Sequence, residues 1–362
     1  MRIRTITCHD VYNLGAGLQA YALAAYLKAE GHDVQIIDYK PDYLSRHYQL
    51  GYVPNPRFDR PLVRQAYLLA KLPGRMKALL GKRKKHFDLF RKQYLPVTQK
   101  RYASCDELKQ DCPEADVFIA GSDQIWNPVF PNGKDPAFFL NFVPGEKKKI
   151  SYAASFAVDK LPEADRDRMI PWLKELDAVS VREKSGVRLL AEMGIPGQQV
   201  MDPVFLLDRK QWEEIAVLPK KEKYILLYDF DCNPELFRIA EKLAKETGSE
   251  IVSVFPVKGA DAVWQDMGPR EFLGAILNAD IVLSNSFHAT AFSLIFQKAF
   301  YVLNRRENIN TRMRDLVSLV SLEDRLISGV EDLQDQPVCW EKTEKVLHEL
   351  VSESKQFLSD HI

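Results

Sequence analysis

The sequence is poor in cysteine. Its 362 residues include five cysteines, an odd number without a CxxC pair. A disulfide framework is therefore not expected, and reduced thiols suit the cytoplasm. Cys8 ends the first predicted strand, where a catalytic thiol would lie in an α/β enzyme. A buried cysteine that packs as a small apolar side chain is the simpler interpretation.

Long apolar runs are missing as well. No segment approaches the roughly 18 consecutive apolar residues of a membrane-spanning helix. The N-terminal segment MRIRTITCHDVYNLG has no apolar stretch of signal-peptide length. We therefore expect a cytoplasmic protein that does not span a bilayer.

Neither sign of charge prevails, since 50 basic residues balance 50 acidic ones. No overall field favours nucleic acid or an acidic partner. Histidine, cysteine and carboxylate residues with zinc-like spacing are also lacking, so we expect no metal and no cofactor. What the chain does have is a hydrophobic fraction of 46%, enough for packed cores, and a length that predicts two domains.

Strand and helix patterns alternate along most of the chain, which favours parallel sheets covered by helices. The predicted strands lie at residues 2–8, 34–39, 116–121, 149–155, 178–182, 224–230, 250–255, 279–284 and 299–303. The boundary is placed near residue 215, between an N-terminal domain of residues 1–215 and a C-terminal domain of 216–362 that ends in an amphipathic helix. The expected fold class is α/β, with two doubly wound Rossmann-like domains facing a cleft and ligands outside the carboxyl ends of the strands.

A helical segment at about 55–102 interrupts this alternation. Residues 57–101 contain fourteen Lys or Arg and only two acids, Asp59 and Asp88. A charge run of this kind is usually a solvated helix face, and the alternative is a surface for anionic lipid or polyphosphate. Nucleic acid is not expected, because the aromatic residues are not spaced as a stacking platform. Pro73-Gly74 is predicted to break the helix.

The turn after the first strand is the first candidate binding segment. Asn13 can cap the helix that follows, and Gly15 and Gly17 would let an anion approach free backbone N–H groups. Gln19 completes the candidate set. The third glycine of a dinucleotide fingerprint is absent, so the segment is either an anion site or a structural turn.

A second polar segment, GSDQIWNP, follows the strand at 116–121. Ser122, Asp123 and Gln124 offer directional polar groups, and Asp123 could orient a sugar hydroxyl or act as a base. Trp126 could stack on a sugar face. The alternative is an Asx-type turn with a core tryptophan.

Two further strand ends carry candidate catalytic groups. Arg182 ends a buried apolar strand, where its guanidinium would pair with a phosphate, a carboxylate or a neighbouring acid such as Glu183. His288 begins a helix among hydroxyl and amide groups and could transfer a proton near neutral pH. The polar residues around this histidine that complete the candidate site are Ser284, Asn285, Ser286 and Thr290.

In this order, the motifs resemble the polysaccharide pyruvyl transferase family. The resemblance runs from NLGA and QAYAL through GSDQIWN, SYAASF, VREKS, MDPVFLL and NSFHATAFS to Asn310-Thr311-Arg312, and so covers roughly residues 1–320. It implies a fold like that of B-type glycosyltransferases. It also implies transfer of pyruvate from phosphoenolpyruvate, as co-substrate, onto a sugar as a ketal.

The resemblance also implies residue roles. Arg182 is similar to the family arginine that holds phosphoenolpyruvate, and His288 is similar to the catalytic histidine. Some members have an arginine shortly before that histidine, where this chain has Ser286-Phe287, and Arg312 or Arg314 is expected to replace it. The expected partners are phosphoenolpyruvate and a saccharide acceptor, including a lipid-linked one at the inner face of the membrane. The alternatives are a glycosyltransferase that uses a nucleotide sugar and a non-catalytic glycan-binding relative.

Overall fold

The computed structural model describes residues 1–44, 50–53, 55–305, 311–334 and 336–362. Asn310, which contributes to the family resemblance, lies outside these residues. Within them, no helix has the length and apolar character needed to cross a membrane.

The first half of the chain builds a parallel five-stranded sheet. Its strands are β1 (Arg2–Ile6), β2 (Asp33–Tyr39), β3 (Val97–Tyr102), β4 (Val117–Ala120) and β5 (Lys148–Ser151), in the order β3-β2-β1-β4-β5. The connecting helices are α1 (Leu14–Ala29), α2 (Pro61–Leu80), α3 (Lys82–Tyr94) and α4 (Cys105–Gln110). The strands after β1 are added first on one side, as β2 and β3, and then on the other side, as β4 and β5. The space between β1 and β4 is therefore a topological switch point.

A short segment joins the two halves. It contains α5 (Glu163–Leu173), the paired strands β6 (Ser180–Val181) and β7 (Gln198–Gln199), α6 (Lys184–Glu192), a 3₁₀ turn at Pro203–Leu206 and α7 (Arg209–Ile215). The end of β6 and the turn before residue 203 bring charged side chains back towards the first sheet.

The second half repeats the architecture with six parallel strands. They are β8 (Tyr224–Tyr228), β9 (Glu250–Ser253), β10 (Ala262–Val263), β11 (Ile281–Ser284), β12 (Ala299–Leu303) and β13 (Leu326–Ile327), in the order β10-β9-β8-β11-β12-β13. The helices are α8 (Pro234–Thr247), α9 (Pro269–Asn278), α10 (Phe287–Ile295), α11 (Thr311–Leu319) and α12 (Trp340–His361). The switch point of this sheet lies between β8 and β11.

The last helix contacts both halves of the molecule. Near its start, the amide of Gln297 donates to Glu344. Near its end, Ser354 Oγ accepts from the backbone N–H of Met201, and the ring of Phe357 lies 6.4 Å from that of Tyr152. The final turns of α12 therefore pack on the N-terminal half, although α12 follows the second sheet in the chain.

The basic segment forms two helices. The structure corrects the predicted break, because α2 runs from Pro61 to Leu80 with Pro73 inside it. The helices separate instead at Gly81, whose extended backbone precedes α3. The segment then returns to the sheet as β3 at its edge.

Candidate functional site

The first switch point places the N-terminus of α1 at the junction of the two halves. The helix begins at Leu14, and the side-chain oxygen of Asn13 accepts hydrogen bonds from Gly15 N (3.0 Å) and Ala16 N (3.3 Å). The predicted cap is thus present. Gly15 and Gly17 lie inside the first helical turns rather than in a loop.

Gly15 allows a histidine of the other half to approach the helix. A Cβ atom at residue 15 would lie 2.0 Å from His288 Nδ1. A Cβ at Gly17 would lie 3.4 Å from Phe90 and 3.9 Å from Pro269, which are ordinary contacts. The imidazole of His288 therefore occupies the space that a side chain at residue 15 would need.

His288 lies in the first turn of α10, which Ser286 caps. Its side chain is buried, and its Nε2 atom has no hydrogen-bond partner among the described residues. The nearest acid is Asp202, whose Oδ2 lies 4.0 Å from Nε2. Burial lowers the pKa of His288, and Asp202 and Asp123 only partly offset this effect, so burial favours the neutral imidazole in the free protein.

Arg182 forms the centre of a buried charge cluster. Its Nη1 donates to Asp202 Oδ2 at 2.5 Å, its Nε lies 3.4 Å from Glu183 Oε1, and its Nη2 lies 3.7 Å from Asp123 Oδ1. The guanidinium also covers the ring of Phe287 at 4.2 Å from the centroid. These acids balance the charge of Arg182. Its guanidinium therefore holds the three carboxylates of the site close to one another.

Arg312 differs from Arg182 because it forms no ion pair with a described residue, although each guanidinium has one buried nitrogen without a hydrogen-bond partner there, Nη2 of Arg182 and Nε of Arg312. It lies in the first turn of α11 with its side chain buried, and its Nε has no hydrogen-bond partner among the described residues. Burial and the neighbouring charge of Arg182 lower the pKa of Arg312 to about 10. An anion beside it would relieve both effects. Arg314, the other predicted substitute, is exposed and pairs with Asp159 at 2.9 Å.

Two carboxylates near these arginines have opposite pKa shifts. Burial raises the pKa of Asp123, but the charges of Arg182, His288 and Arg312 outweigh this and hold it below its ordinary value. Burial raises the pKa of Glu183 above its ordinary value. Ser155 Oγ donates to Oε1 of Glu183, whereas the buried Oε2 has no hydrogen-bond partner in the described structure.

These groups surround a small polar cleft between the two switch points. Arg305 extends into it from the end of the second sheet, over the ring of Phe230. With its amide oxygen turned towards Arg312, Gln124 accepts hydrogen bonds from Nη2 (3.1 Å) and Nη1 (3.3 Å). The residues that line the cleft are Asn13, Asp123, Gln124, Phe230, Asn285, Ser286, Phe287, His288, Arg305 and Arg312.

Several predicted site residues support the cleft without lining it. The amide of Gln19 donates to Thr7 and accepts from the backbone N–H of Ser122, which ties α1 to the end of β4. Ser122 Oγ in turn donates to Ala153 O at 2.7 Å. Ser284 and Thr290 donate to the backbone oxygens of Tyr228 and Ser286, respectively.

Trp126 corrects the expectation of a sugar-stacking residue. Its side chain has no exposed surface, its indole N–H donates to Phe138 O at 2.9 Å, and its ring stacks on Phe139. A ring that is enclosed on both faces cannot contact a sugar, so Trp126 belongs to the core. Cys8 is also buried, and burial raises the pKa of its thiol well above the ordinary value, which disfavours a thiolate nucleophile.

Sequence reasoning did not select Asp202, Glu183, Phe230, Phe287 or Arg305 for the site. Asp202 lies within the MDPVFLL motif, and Glu183 follows Arg182 directly, so both had a signal in the pattern of polar residues at strand ends. Arg305 follows β12 in the same way. Among the described residues, no three histidine, cysteine or acidic side chains lie close enough together to hold a metal ion.

Comparison with known families gives an extended match. A model of the family described as polysaccharide pyruvyl transferase matches residues 13–307, which include the α1 turn, the residues after β4, Arg182 and His288. No curated protein sequence matches the chain significantly.

Comparison with solved structures identifies the fold. A protein assigned as UDP-N-acetylglucosamine 2-epimerase from Listeria monocytogenes superposes with a TM-score of 0.50 at 10% identity, over 98% of this chain and 89% of that one. The UDP-GlcNAc 2-epimerase of Methanocaldococcus jannaschii has a TM-score of 0.49 at 13% identity, with coverages of 97% and 93%. The Escherichia coli heptosyltransferase WaaC has a TM-score of 0.39 at 10% identity, with coverages of 85% and 90%. The predicted fold class, two Rossmann-like domains resembling the B-type glycosyltransferase fold, is confirmed by the two parallel sheets and by the likeness to the Listeria protein.

Proposed function

Because the chain belongs to the polysaccharide pyruvyl transferase family, we propose that it transfers a pyruvyl group from phosphoenolpyruvate onto a sugar and forms a ketal. The observation that supports this most is the pairing of a neutral, buried His288 with Arg312, a buried guanidinium without enough anionic partners. Such a site gains most from a ligand that carries several negative charges. Phosphoenolpyruvate carries both a phosphate and a carboxylate.

The donor is held by groups that converge on the cleft. Arg312 and Arg305 line it, and the N-termini of α1 and α10 both point towards it, so two helix dipoles favour an anion there. Arg182 lies behind Phe287 and keeps Asp202 and Asp123 in place. We therefore propose that Arg312, rather than Arg182, makes the direct charge contact with the donor.

The proposed reaction begins with a proton. The negative charge of the bound donor raises the pKa of His288, which takes up a proton and delivers it to the methylene carbon of the enol. The adjacent carbon becomes oxocarbenium-like. A sugar hydroxyl forms the first C–O bond there, and its proton passes to a carboxylate of the site, for which Asp123 lines the cleft in ionised form.

The second half of the reaction releases phosphate. The bond between carbon and the phosphate oxygen breaks, and Arg312 and Arg305 stabilise the departing charge. A second hydroxyl of the same sugar then attacks the carbon and closes the ketal ring, and its proton leaves with the phosphate. One phosphoenolpyruvate and one diol thus give one ketal and one inorganic phosphate.

The test offers the protein two donors side by side. Purified protein is incubated with a panel of saccharides that carry free neighbouring hydroxyls, together with phosphoenolpyruvate or with a nucleotide sugar. The proposal expects phosphate release from phosphoenolpyruvate and an acceptor whose mass grows by pyruvate less one water. Release of nucleoside diphosphate from the nucleotide sugar, with phosphoenolpyruvate unused, would establish a glycosyltransferase instead.

A second test measures donor binding and therefore does not require the correct acceptor to be in the panel. Phosphoenolpyruvate should raise the unfolding temperature of the protein, because it binds the native state only. A protein stabilised by nucleotide sugars and not by phosphoenolpyruvate would overturn the proposed donor whatever the acceptor is.

A further inference from the structure

The helix α2 presents an apolar face that no described part of the chain covers. None of its described side chains is buried. Leu69 is 70% exposed and Leu80 is 79% exposed, and Leu72 and Met76 are each 39% exposed. Positions 69, 72, 76 and 80 follow a spacing of three and four residues, so these side chains share one side of the helix.

Positive charge surrounds this apolar face. The helix contains no acidic residue, and the chain continues from it into Lys82-Arg83-Lys84-Lys85. Lys71, Lys77, Lys82 and Lys85 are exposed and form no ion pair with described residues.

Two of the cations in this run have structural roles instead. Arg83 donates to the backbone oxygens of Tyr12 and Gln265, and Lys84 binds Asp88 at 2.5 Å. The charge that remains available to a partner therefore belongs to the lysines named above.

We propose that this surface docks on an anionic phospholipid bilayer. The α2 surface is defined here as Leu69, Leu72, Met76 and Leu80 together with Lys71, Lys77, Lys82 and Lys85. Exposed leucines beside lysines without ion-pair partners, here on α2 and in the first turn of α3, are typical of helices that lie in the interface of a membrane. The charge complementarity favours the bilayer, since a second copy of this chain docked through the same surface would bring the same positive charge to the contact.

The α2 surface is held next to the cleft through α3. The ring of Phe87 packs against that of Tyr12 at 5.7 Å, and the hydroxyl of Tyr12 donates to Asp88. Tyr12 directly precedes Asn13, which lines the cleft. A protein docked in this way would hold its cleft close to the membrane, where a lipid-linked saccharide is presented. The docking itself does not depend on the proposed reaction.

The test measures cosedimentation with vesicles of phosphatidylcholine alone or mixed with phosphatidylserine. We expect binding to the anionic vesicles at low salt and release at high salt, because salt screens the attraction. Removing two lysines as K82S/K85S should weaken binding roughly twentyfold, since each cation near such a surface contributes about a fivefold effect. L69E/L80E should lower it further, because it removes the apolar contact and adds two negative charges that the anionic vesicles repel.

Matched variants control for charge and for surface hydrophobicity. K242S/K245S removes two exposed lysines from α8, and V129E changes an exposed valine elsewhere, and both should bind as the wild type does. Equal sedimentation with neutral and anionic vesicles, or none with either, would overturn the proposal. So would unchanged binding of L69E/L80E, or a wild-type dimer in light scattering that L69E/L80E converts to a monomer, which would show a second copy on the α2 surface.

Discussion

At the scale of single residues, His288 combines three unusual features. It is buried, its Nε2 has no hydrogen-bond partner among the described residues, and it belongs to one half of the molecule while it touches the helix of the other. A buried polar atom without a partner costs free energy. We therefore expect the ligand to supply a hydrogen-bond partner for Nε2 of His288.

The first prediction tests this histidine. His288→Ala should lower turnover by roughly 10²–10⁴-fold, as expected for the loss of a general acid, while circular dichroism and the unfolding temperature show a folded protein. His348→Ala, which changes an exposed histidine of α12, should leave turnover unchanged. A folded H288A protein with wild-type turnover would show that another group supplies the proton.

The second prediction compares two arginines of the same helix. Arg312→Ala should weaken phosphoenolpyruvate binding about ten- to a hundredfold, because a charge-assisted contact contributes about 1.5–3 kcal/mol. Arg314→Ala should not change it, since that side chain faces solvent and pairs with Asp159. Titration calorimetry measures both affinities. Equal losses, or none for R312A, would remove Arg312 from the donor contacts.

The third prediction concerns Arg182 and stability. Removing this guanidinium leaves Asp202 and Glu183 buried without their compensating charge, and breaking such a pair costs about 3–5 kcal/mol. Arg182→Ala should therefore lower the denaturant midpoint strongly. Arg188→Ala, at an exposed ion pair on α6, should cost at most about 1 kcal/mol. A fully stable R182A protein with weak donor binding would return Arg182 to the role that the family resemblance implies.

At the scale of elements, the sequence predicts the regular parts well. The strand at 299–303 has the predicted bounds, because apolar periodicity and end signals agree there. Short strands such as β7 and β10 give too few residues for a pattern. The continuous helix through Pro73 could not be foreseen, since Gly81 rather than Pro73 sets the boundary between α2 and α3.

The candidate site, like the fold, could be predicted from the sequence only in part. The predicted residues Asn13, Asp123 and His288 all line the cleft, because carboxyl ends of parallel strands meet at one edge. Sequence could not show which side chains face the cleft and which support it. Trp126 and Ser122 lie two and one positions from cleft residues and yet are fully buried, and only the packing of the two halves decides this.

The fourth prediction tests how α1 and α10 meet. Gly15→Ala places a methyl group 2.0 Å from the His288 ring, so α1 and α10 must separate, and both the unfolding temperature and turnover should fall. Gly17→Ala, one half-turn later in the same helix, makes only ordinary contacts, with Phe90 at 3.4 Å and Pro269 at 3.9 Å, and should preserve turnover. If both variants behave alike, the contact between α1 and His288 does not govern the site.

At the scale of the whole molecule, the site belongs to neither half alone. Asp123 and Asn13 come from the first sheet, whereas His288 and Arg305 come from the second. An apolar cluster also extends through both halves, with Ile119 of β4 and Leu226 of β8 among its members. A ligand in the cleft contacts both halves at once, so its binding free energy also stabilises their association.

The last prediction uses proton exchange to follow this coupling. In the free protein the pKa of His288 lies below its ordinary value of 6.5, and a bound anion raises it. Between the free and bound pKa values, the complex holds a proton that the free protein lacks. Binding of phosphoenolpyruvate should thus take up a proton, and affinity should increase as the pH falls through this window.

Calorimetry in buffers of different ionisation enthalpy measures that uptake directly. The phosphate of the donor has a second pKa of about 6, so the measurement is paired with His288→Gln, in which the donor still titrates and residue 288 does not. The difference in proton uptake between the two proteins isolates the histidine. A difference of zero in a folded H288Q protein would place the titrating group elsewhere. Burial raises the pKa of Glu183, so this acid would then be examined by the same comparison with Glu183→Gln.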